Sequence, residues 1–271
     1  MEYIELQDEK IPAIGLGTWE LTENCAESVK NALEMGYEHV DTAQIYGNEA
    51  EVGEGIENAD KDRDEIWLTT KVWRDSLNEE DLKKSVEESL KKLRTEYVDL
   101  LLIHWPFEEM DLKSVIEELD ELVEEGKARH IGISNFTAEQ MRKAQELSEN
   151  NLLTNQVEYH PFLNQDEVLT ECRENEMMLT AYSPLARGDV IGNETLQEIG
   201  ENHGKSEAQV AIRWLIQQEN VCAIPKATSV KHQKANLEVF DFELTEDEME
   251  KISDLARNDR KVDPGFSPDW D

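Results

Sequence analysis

The sequence predicts an α/β protein: a (β/α)8 TIM barrel with an N-terminal β-hairpin and two extra helices. Three observations carry this. Short β-like runs alternate with amphipathic helical runs almost to the end of the chain, the signature of βαβ units around a parallel sheet. Eight such strands can be counted after the hairpin. The length, 271 residues, matches the roughly 250 that one barrel needs, so residues 1–271 are expected to form a single domain. An open doubly wound sheet would announce its nucleotide site with Gly-x-Gly-x-x-Gly after the first strand. Here Gly15-Leu-Gly17 is followed by Thr-Trp with no third glycine, and reads instead as a tight turn at a strand end. Gly53-Glu-Gly55 falls inside a helical pattern.

In chain order, the hairpin is expected over residues 2–12. The strands are expected at Ile14–Gly17, His39–Asp41, Ile66–Thr70, Val98–His104, His130–Ser134, Thr154–Glu158, Met178–Tyr182 and Cys222–Pro225. Several are continuous apolar runs, as strands buried on both faces should be. Between them, Ser85–Leu93 places Val86, Leu90 and Leu93 on one helical face, and Ala208–Ile216 reads as another helix. One extra helix is expected over residues 193–203 and a last one over about Thr245–Arg257. The latter starts with the capping box Thr245-Glu-Asp-Glu248. Prolines then force Lys261–Trp270 into a loop.

Composition narrows the function classes. The 27 basic and 62 acidic residues give a net charge of −35, which repels nucleic acid and anionic membrane. A disordered acidic chain is excluded because 38% of residues are hydrophobic and periodically placed. Acidic residues crowd the expected solvent faces of helices, as at Glu79-Glu80-Asp81, Glu87-Glu88 and Glu117-Glu118. This resembles the proteins of salt-in halophiles, although the 17 lysines are many for an extreme one. Cys25, Cys172 and Cys222 are scattered, so buried thiols in a reducing cytoplasm are expected rather than disulfides or a zinc site. The acidic start lacks the pattern of a secretory leader, and Val98–Ile103 is too short to span a bilayer.

Chemistry in such a barrel sits where strands end at the C-terminal face. The expected strand ends deliver Asp41, Lys71, His104, Ser134 with Asn135, Gln156, Tyr182 and Lys226, and Tyr46 lies in the loop after the second strand. Singly, each has a dull explanation: a helix cap, a loop lysine, a core histidine, an interface aromatic. Together, at successive strand ends, they point to a site. A free tyrosine is a poor acid at neutral pH. Lys71 is expected to lower its pKa, and Asp41 to hold the lysine. Tyr46 then serves as general acid toward a carbonyl oxygen, and His104 gives that oxygen a second hydrogen bond. No side chain donates hydride, so a reduced cofactor must. No His-x-x-x-His pair or His/Cys cluster suggests a metal.

At this point the chain resembles the aldo-keto reductase family. The resemblance runs over essentially the whole sequence, in order, through Gly15-Leu-Gly-Thr-Trp19, Asp41-Thr-Ala-Gln-Ile-Tyr-Gly-Asn-Glu49, Thr70-Lys-Val-Trp73, Leu102-Ile-His-Trp105, Ile131-Gly-Ile-Ser-Asn-Phe136, Tyr182-Ser-Pro-Leu185 and Ile224-Pro-Lys226. It implies Asp41, Tyr46, Lys71 and His104 as the catalytic tetrad. It implies cofactor contacts from Thr18 and Trp19, from Ser134, Asn135 and Gln156 to a carboxamide, from Tyr182 stacked on a nicotinamide, and from Ser183 and Leu185 along a pyrophosphate. Trp19, Trp73 and Trp105 match positions lining a carbonyl pocket. The short central loops and the ending Asn258-Asp-Arg260…Pro264…Pro268-Asp-Trp-Asp271 look most like the microbial 2,5-diketo-D-gluconate reductase and methylglyoxal reductase group.

The adenosine region departs from the family pattern. Lys226 is present, but Ala227 and Thr228 follow it, His232 stands where an arginine is common, and Ala235 precedes Asn236. Arginine grips a 2′-phosphate bidentately and histidine does not. The implied cofactor is NADPH, with NADH or dual use as the alternative. The expected function is NAD(P)H-dependent reduction of small or sugar-derived aldehydes and ketones by a monomeric cytoplasmic enzyme, without nucleic acid, membrane or metal partners. A cofactor-binding regulatory module on the same barrel is the competing class. A hydrolase would need a paired carboxylate or an activated nucleophile, and no spacing demands one.

Overall fold

The computed structural model describes residues 1–78 and 80–270. The hairpin strands β1 (Tyr3–Leu6) and β2 (Glu9–Pro12) pair antiparallel. Eight parallel strands follow: β3 (Leu16–Gly17), β4 (His39–Asp41), β5 (Trp67–Val72), β6 (Val98–Ile103), β7 (Ala128–Ser134), β8 (Thr154–Glu158), β9 (Met178–Tyr182) and β10 (Val221–Ala223), each paired with the next. The ends of this sheet meet. Ala223 N donates to Ala13 O, Gly15 N to Ala223 O, and Gly17 N to Pro225 O, closing the barrel.

Among the described residues, ten α-helices join and follow the strands: α1 (Cys25–Met35), α2 (Glu49–Glu57), α3 (Leu82–Leu93), α4 (Leu112–Glu124), α5 (Ala138–Leu147), α6 (Asp166–Glu174), α7 (Glu194–His203), α8 (Glu207–Ile216), α9 (Val230–Leu237) and α10 (Glu246–Ser253). The expected extra helix is α7. The expected capping box starts α10, with Thr245 accepting from Glu248 N, although the helix stops at Ser253 rather than Arg257.

Alternation along the strands sorts the core into two layers. In β6, Leu100 and Leu102 join the barrel interior, while Leu101 and Ile103 face the helices. The hairpin closes the N-terminal mouth, with Ile4, Leu6 and Ile11 packed against Trp67, Leu153 and Met178. The opposite mouth is therefore the open one.

Several boundaries differ from the sequence reading for physical reasons. Lys71 lies inside β5 rather than beyond it, because the strand continues to Val72 and pairs Lys71 with Leu102. The first strand regularises only at Leu16, with an isolated bridge from Ile14 to Ala223, and the last stops at Ala223. Gly15 and Gly17 do not make a tight turn. A Cβ on Gly15 would stand 2.7 Å from the His39 ring, and one on Gly17 would stand 2.6 Å from Ile224 O. Both glycines are demanded by close approach inside the barrel. Glu118 is buried rather than solvent-facing, whereas Glu80, Asp81, Glu87, Glu88 and Glu117 are exposed. Glu79 and Asp271 lie outside the described residues. All three cysteines are buried free thiols. Among the described residues, no helix is long and apolar enough to cross a membrane.

Candidate active site

Around the open mouth the strand ends build a cavity of about 720 Å³. β4 supplies Asp41 and β5 supplies Lys71, inward-facing neighbours on adjacent strands. Lys71 Nζ donates to Asp41 Oδ1 at 2.6 Å and to Thr42 O at 2.8 Å, and reaches Tyr46 OH at 3.3 Å. The second oxygen of Asp41 accepts from Gln156 Nε2 at 2.7 Å.

Tyr46 sits on a single 3-10 turn, Gln44–Tyr46, ended by Gly47 at φ 68°. Gln44 braces that turn: its amide donates to Ser85 and Ser89 of α3, and its carbonyl accepts from Trp73 N. His104 follows β6, with its backbone N bonded to Val72 O and its carbonyl accepting from Asn135 Nδ2. Its Nδ1 is buried without a hydrogen-bond partner among the described residues. The two rings meet edge to face at 5.7 Å.

The electrostatics correct one expectation. Burial, followed by the charge of Asp41, raises the Tyr46 pKa well above the ordinary tyrosine value. The expected lowering by Lys71 is outweighed, because burial penalises the phenolate most and the Asp41 carboxylate adds to it. Burial also raises Asp41 and lowers Lys71, against their mutual attraction. Burial, then the Lys71 charge, pushes His104 well below the usual imidazole range. At neutral pH the cavity thus presents a neutral phenol and a neutral imidazole side by side.

An aromatic wall rises from this pair. Trp73 contacts His104 at 5.2 Å and Phe266 at 6.0 Å, and Trp105 contacts Phe266 at 5.5 Å and Trp270 at 6.0 Å. Elsewhere on the wall, Arg187 and Lys226 lie over Trp19 at 4.9 and 5.9 Å, near Ser183 and Leu185. Ser183, Ala186 and Arg187 stand in the left-handed region, at φ 48°, 48° and 54°.

Of the sequence-predicted residues, the cavity wall includes Asp41, Tyr46, His104, Ser134, Asn135, Gln156, Tyr182, Ser183, Leu185, Lys226, Trp19, Trp73 and Trp105. Lys71 lies just behind it. The expected carboxamide partners hold one another: Ser134 Oγ donates to Gln156 O, Asn135 Nδ2 to Ser134 Oγ, and Tyr182 OH to Asn135 Oδ1. Thr18, Ala227, Thr228, His232 and Asn236 are not on the wall. Thr18 is buried and donates to Asp41 O. Ala227 is buried and accepts from Gln233, while Thr228 and His232 are exposed where the chain enters α9. Asn236 is buried against Tyr37.

Sequence reasoning missed the C-terminal contribution. Lys261, Val262, Asp263, Pro264 and Phe266 line the cavity, as do Ile45 and Arg187. The one available signal was an aromatic within a proline-bounded loop, Pro264-Gly-Phe-Ser-Pro268. Among the described residues, no group of His, Cys, Asp and Glu is arranged to hold a metal ion.

Comparison with known proteins gives the family. The sequence model of the Aldo/keto reductase family matches residues 13–257. The chain is 40% identical to methylglyoxal reductase DkgB of Escherichia coli O157:H7 over 96% of its length and 99% of that protein. It is 39% identical to the glyoxal reductase of Bacillus subtilis strain 168, covering 93% and 91% of the two chains. A solved structure of a candidate 2,5-diketo-D-gluconic acid reductase B superimposes with a TM-score of 0.96 at 46% identity, covering 100% of this chain and 98% of the other.

Proposed function

The chain belongs to the aldo/keto reductase family, and from that premise we propose that it reduces small aldehydes and ketones with a nicotinamide cofactor, Tyr46 giving the proton. The observation that carries this reading is the Tyr46 hydroxyl, held 3.3 Å from Lys71 Nζ at a cavity wall shared with His104. The relatives named methylglyoxal and glyoxal reductase support small dicarbonyl substrates.

The His104 ring at the cavity wall and the aromatic residues beside it suit a polar oxygen on an otherwise apolar molecule. Ser134, Asn135, Gln156 and Tyr182 would hold the nicotinamide end of the cofactor. Trp19, Ser183, Leu185, Arg187 and Lys226 would hold its phosphate-bearing part, with His232 and Thr228 beyond. When bound, a reduced nicotinamide supplies the hydride.

This chain's residues do the rest. Tyr46 OH and the His104 imidazole donate to the carbonyl oxygen and polarise it. As negative charge grows on that oxygen, it becomes basic enough to take the phenolic proton. The phenolate left behind faces Lys71 Nζ, whose charge Asp41 orients. Trp73, Trp105 and Phe266 exclude water, so these donors act in a low dielectric. The cofactor reading is NADPH, with NADH as the alternative, because Lys226 is present and the common arginine is replaced by His232.

The test is Tyr46→Phe. Turnover of methylglyoxal should fall by about 10²–10⁴-fold, while cofactor binding, followed by quenching of tryptophan fluorescence, stays unchanged. Turnover equal to that of the native chain would remove Tyr46 as the acid. No turnover by the native chain with either cofactor, across a carbonyl panel, would favour a cofactor-binding module.

A further inference from the structure

Two residues beyond Gln156, β8 ends in a carboxylate that the chemistry above does not use. Glu158 is fully buried. Its Oε1 accepts from Lys261 N at 2.7 Å and from His160 Nε2 at 2.8 Å, and its Oε2 accepts from Val262 N at 2.7 Å. Phe162 N donates to His160 Nδ1, which leaves Nε2 to carry the proton given to Glu158. Gln165 Nε2 donates to Glu158 O. Every partner of the side chain is thus a donor, and two are consecutive backbone amides of the C-terminal loop.

The same strand end holds that loop twice more. Phe162 O accepts from Arg257 N and Asp259 N, and the Arg257 guanidinium lies over the Phe162 ring at 4.0 Å. The next residues, Val262 to Phe266, form a wall of the cavity, and Phe266 stands against both Trp73 and Trp105. Beyond Val262 the loop is tied by side chains and within itself: Ser267 N and Oγ donate to Pro264 O, Trp270 Nε1 donates to Asp263, and the Arg74 and Arg260 guanidiniums lie over the Phe266 and Trp270 rings at 4.5 and 3.7 Å.

We infer that Glu158 is a positioning residue for the carbonyl pocket: its carboxylate clamps the amides of Lys261 and Val262 and so sets where Phe266 stands over the reacting groups. The inference rests on the carbonyl-reductase reading of the cavity. Charge-assisted hydrogen bonds to backbone N–H are among the stronger kind. An amide at this position would turn an NH2 group toward one of the donors, leaving a buried donor unpaired and the loop free to shift. Glu158 also neighbours Tyr182 across the β8–β9 ladder, yet its bonds run to the loop, so the substrate side should feel its loss first.

The experiment compares the native chain with E158Q, and with E158D, which keeps the charge but withdraws it by one methylene. The control D120N weakens another buried carboxylate clamp, on the Ser148–Asn150 turn away from the cavity. E158Q and E158D should raise the KM for methylglyoxal by about tenfold, the equivalent of one modest interaction. Turnover at saturation and the Kd for cofactor should stay within about threefold. Amide hydrogen exchange at Lys261 and Val262 should accelerate in both variants and not in D120N. D120N should lower Tm without moving KM. Unchanged KM and exchange in a folded Glu158 variant would overturn the inference, as would an equal rise of KM in D120N. If the native chain shows no turnover, the reductase reading fails, while the exchange at residues 261 and 262 still decides the clamp.

Discussion

Lys71 Nζ and Asp41 Oδ1 stand 2.6 Å apart with both side chains essentially removed from solvent. Such a pair gains attraction in a low dielectric but is desolvated at a cost of similar size. Its removal therefore hurts far more by halves than as a whole.

Lys71→Met should cost about 3–5 kcal/mol of stability by leaving Asp41 buried and uncompensated, while the double variant D41N/K71M should recover much of it and remain inactive. The loss in K71M should grow with pH. A carboxyl whose folded pKa is raised holds its proton more tightly in the native state, so stability declines as pH climbs above the unfolded value near 4. Thermal unfolding at about pH 5 and pH 8 checks the sign, and a K71M chain as stable as the native one at both would refute the argument.

The raised Tyr46 pKa makes a second prediction. With the phenol pushed up by burial and Asp41, and His104 pushed down by burial and Lys71, neither titrates near neutrality. At saturating cofactor and substrate, kcat should stay within about twofold between roughly pH 6 and pH 9. A fall in kcat with an apparent pKa near 8 would mean that Lys71, rather than burial, governs the phenol.

What could be read in the sequence followed from local rules. Asp41, His104, Ser134 and Tyr182 lie at or just past apolar strand runs, so the barrel rule placed them together without knowledge of their contacts. Lys71 was found but set one element too far along, since a charged residue looks like the end of an apolar strand. The direction of the Tyr46 shift depends on how deeply the folded chain buries the phenol and on the nearby Asp41 charge, neither of which any spacing encodes. Phe266 and the Glu158 clamp escaped because their partners are remote in sequence: Trp73 and Trp105 for the ring, the amides of Lys261 and Val262 for the carboxylate. A proline-bounded loop announces that it is a loop, not what it leans on.

Cofactor preference should turn on His232. It is exposed in the first turn of α9, where Ser229 caps the helix by accepting from His232 N. A helix start of this kind favours a phosphate, and an arginine there would add a bidentate grip. H232R should lower the KM for NADPH by about tenfold and leave that for NADH unchanged. An equal change for both cofactors would place residue 232 against the adenine, which the two share, rather than the 2′-phosphate.

The surface charge sets the last expectation. With 62 acidic against 27 basic residues, carboxylates far outnumber the cations that could pair them. Where cations are available they bridge two acids at once, as Lys83 does between Glu121 and Glu125, and Lys127 between Glu87 and Glu125. Exposed pairs of this kind are worth about 0–1 kcal/mol each. Salt weakens them, but it also screens the unbalanced repulsion, which acts over longer distances and across the whole surface. The Debye length contracts from about 10 Å at 0.1 M to about 3 Å at 1 M salt, so long-range repulsion across the acidic surface should fade before contact pairs do. Tm should therefore rise steadily with KCl up to molar concentration, and sucrose at equal osmolarity should raise it less. A Tm that is flat or falls with KCl would show that the bridged acids, not the excess charge, dominate the surface energy.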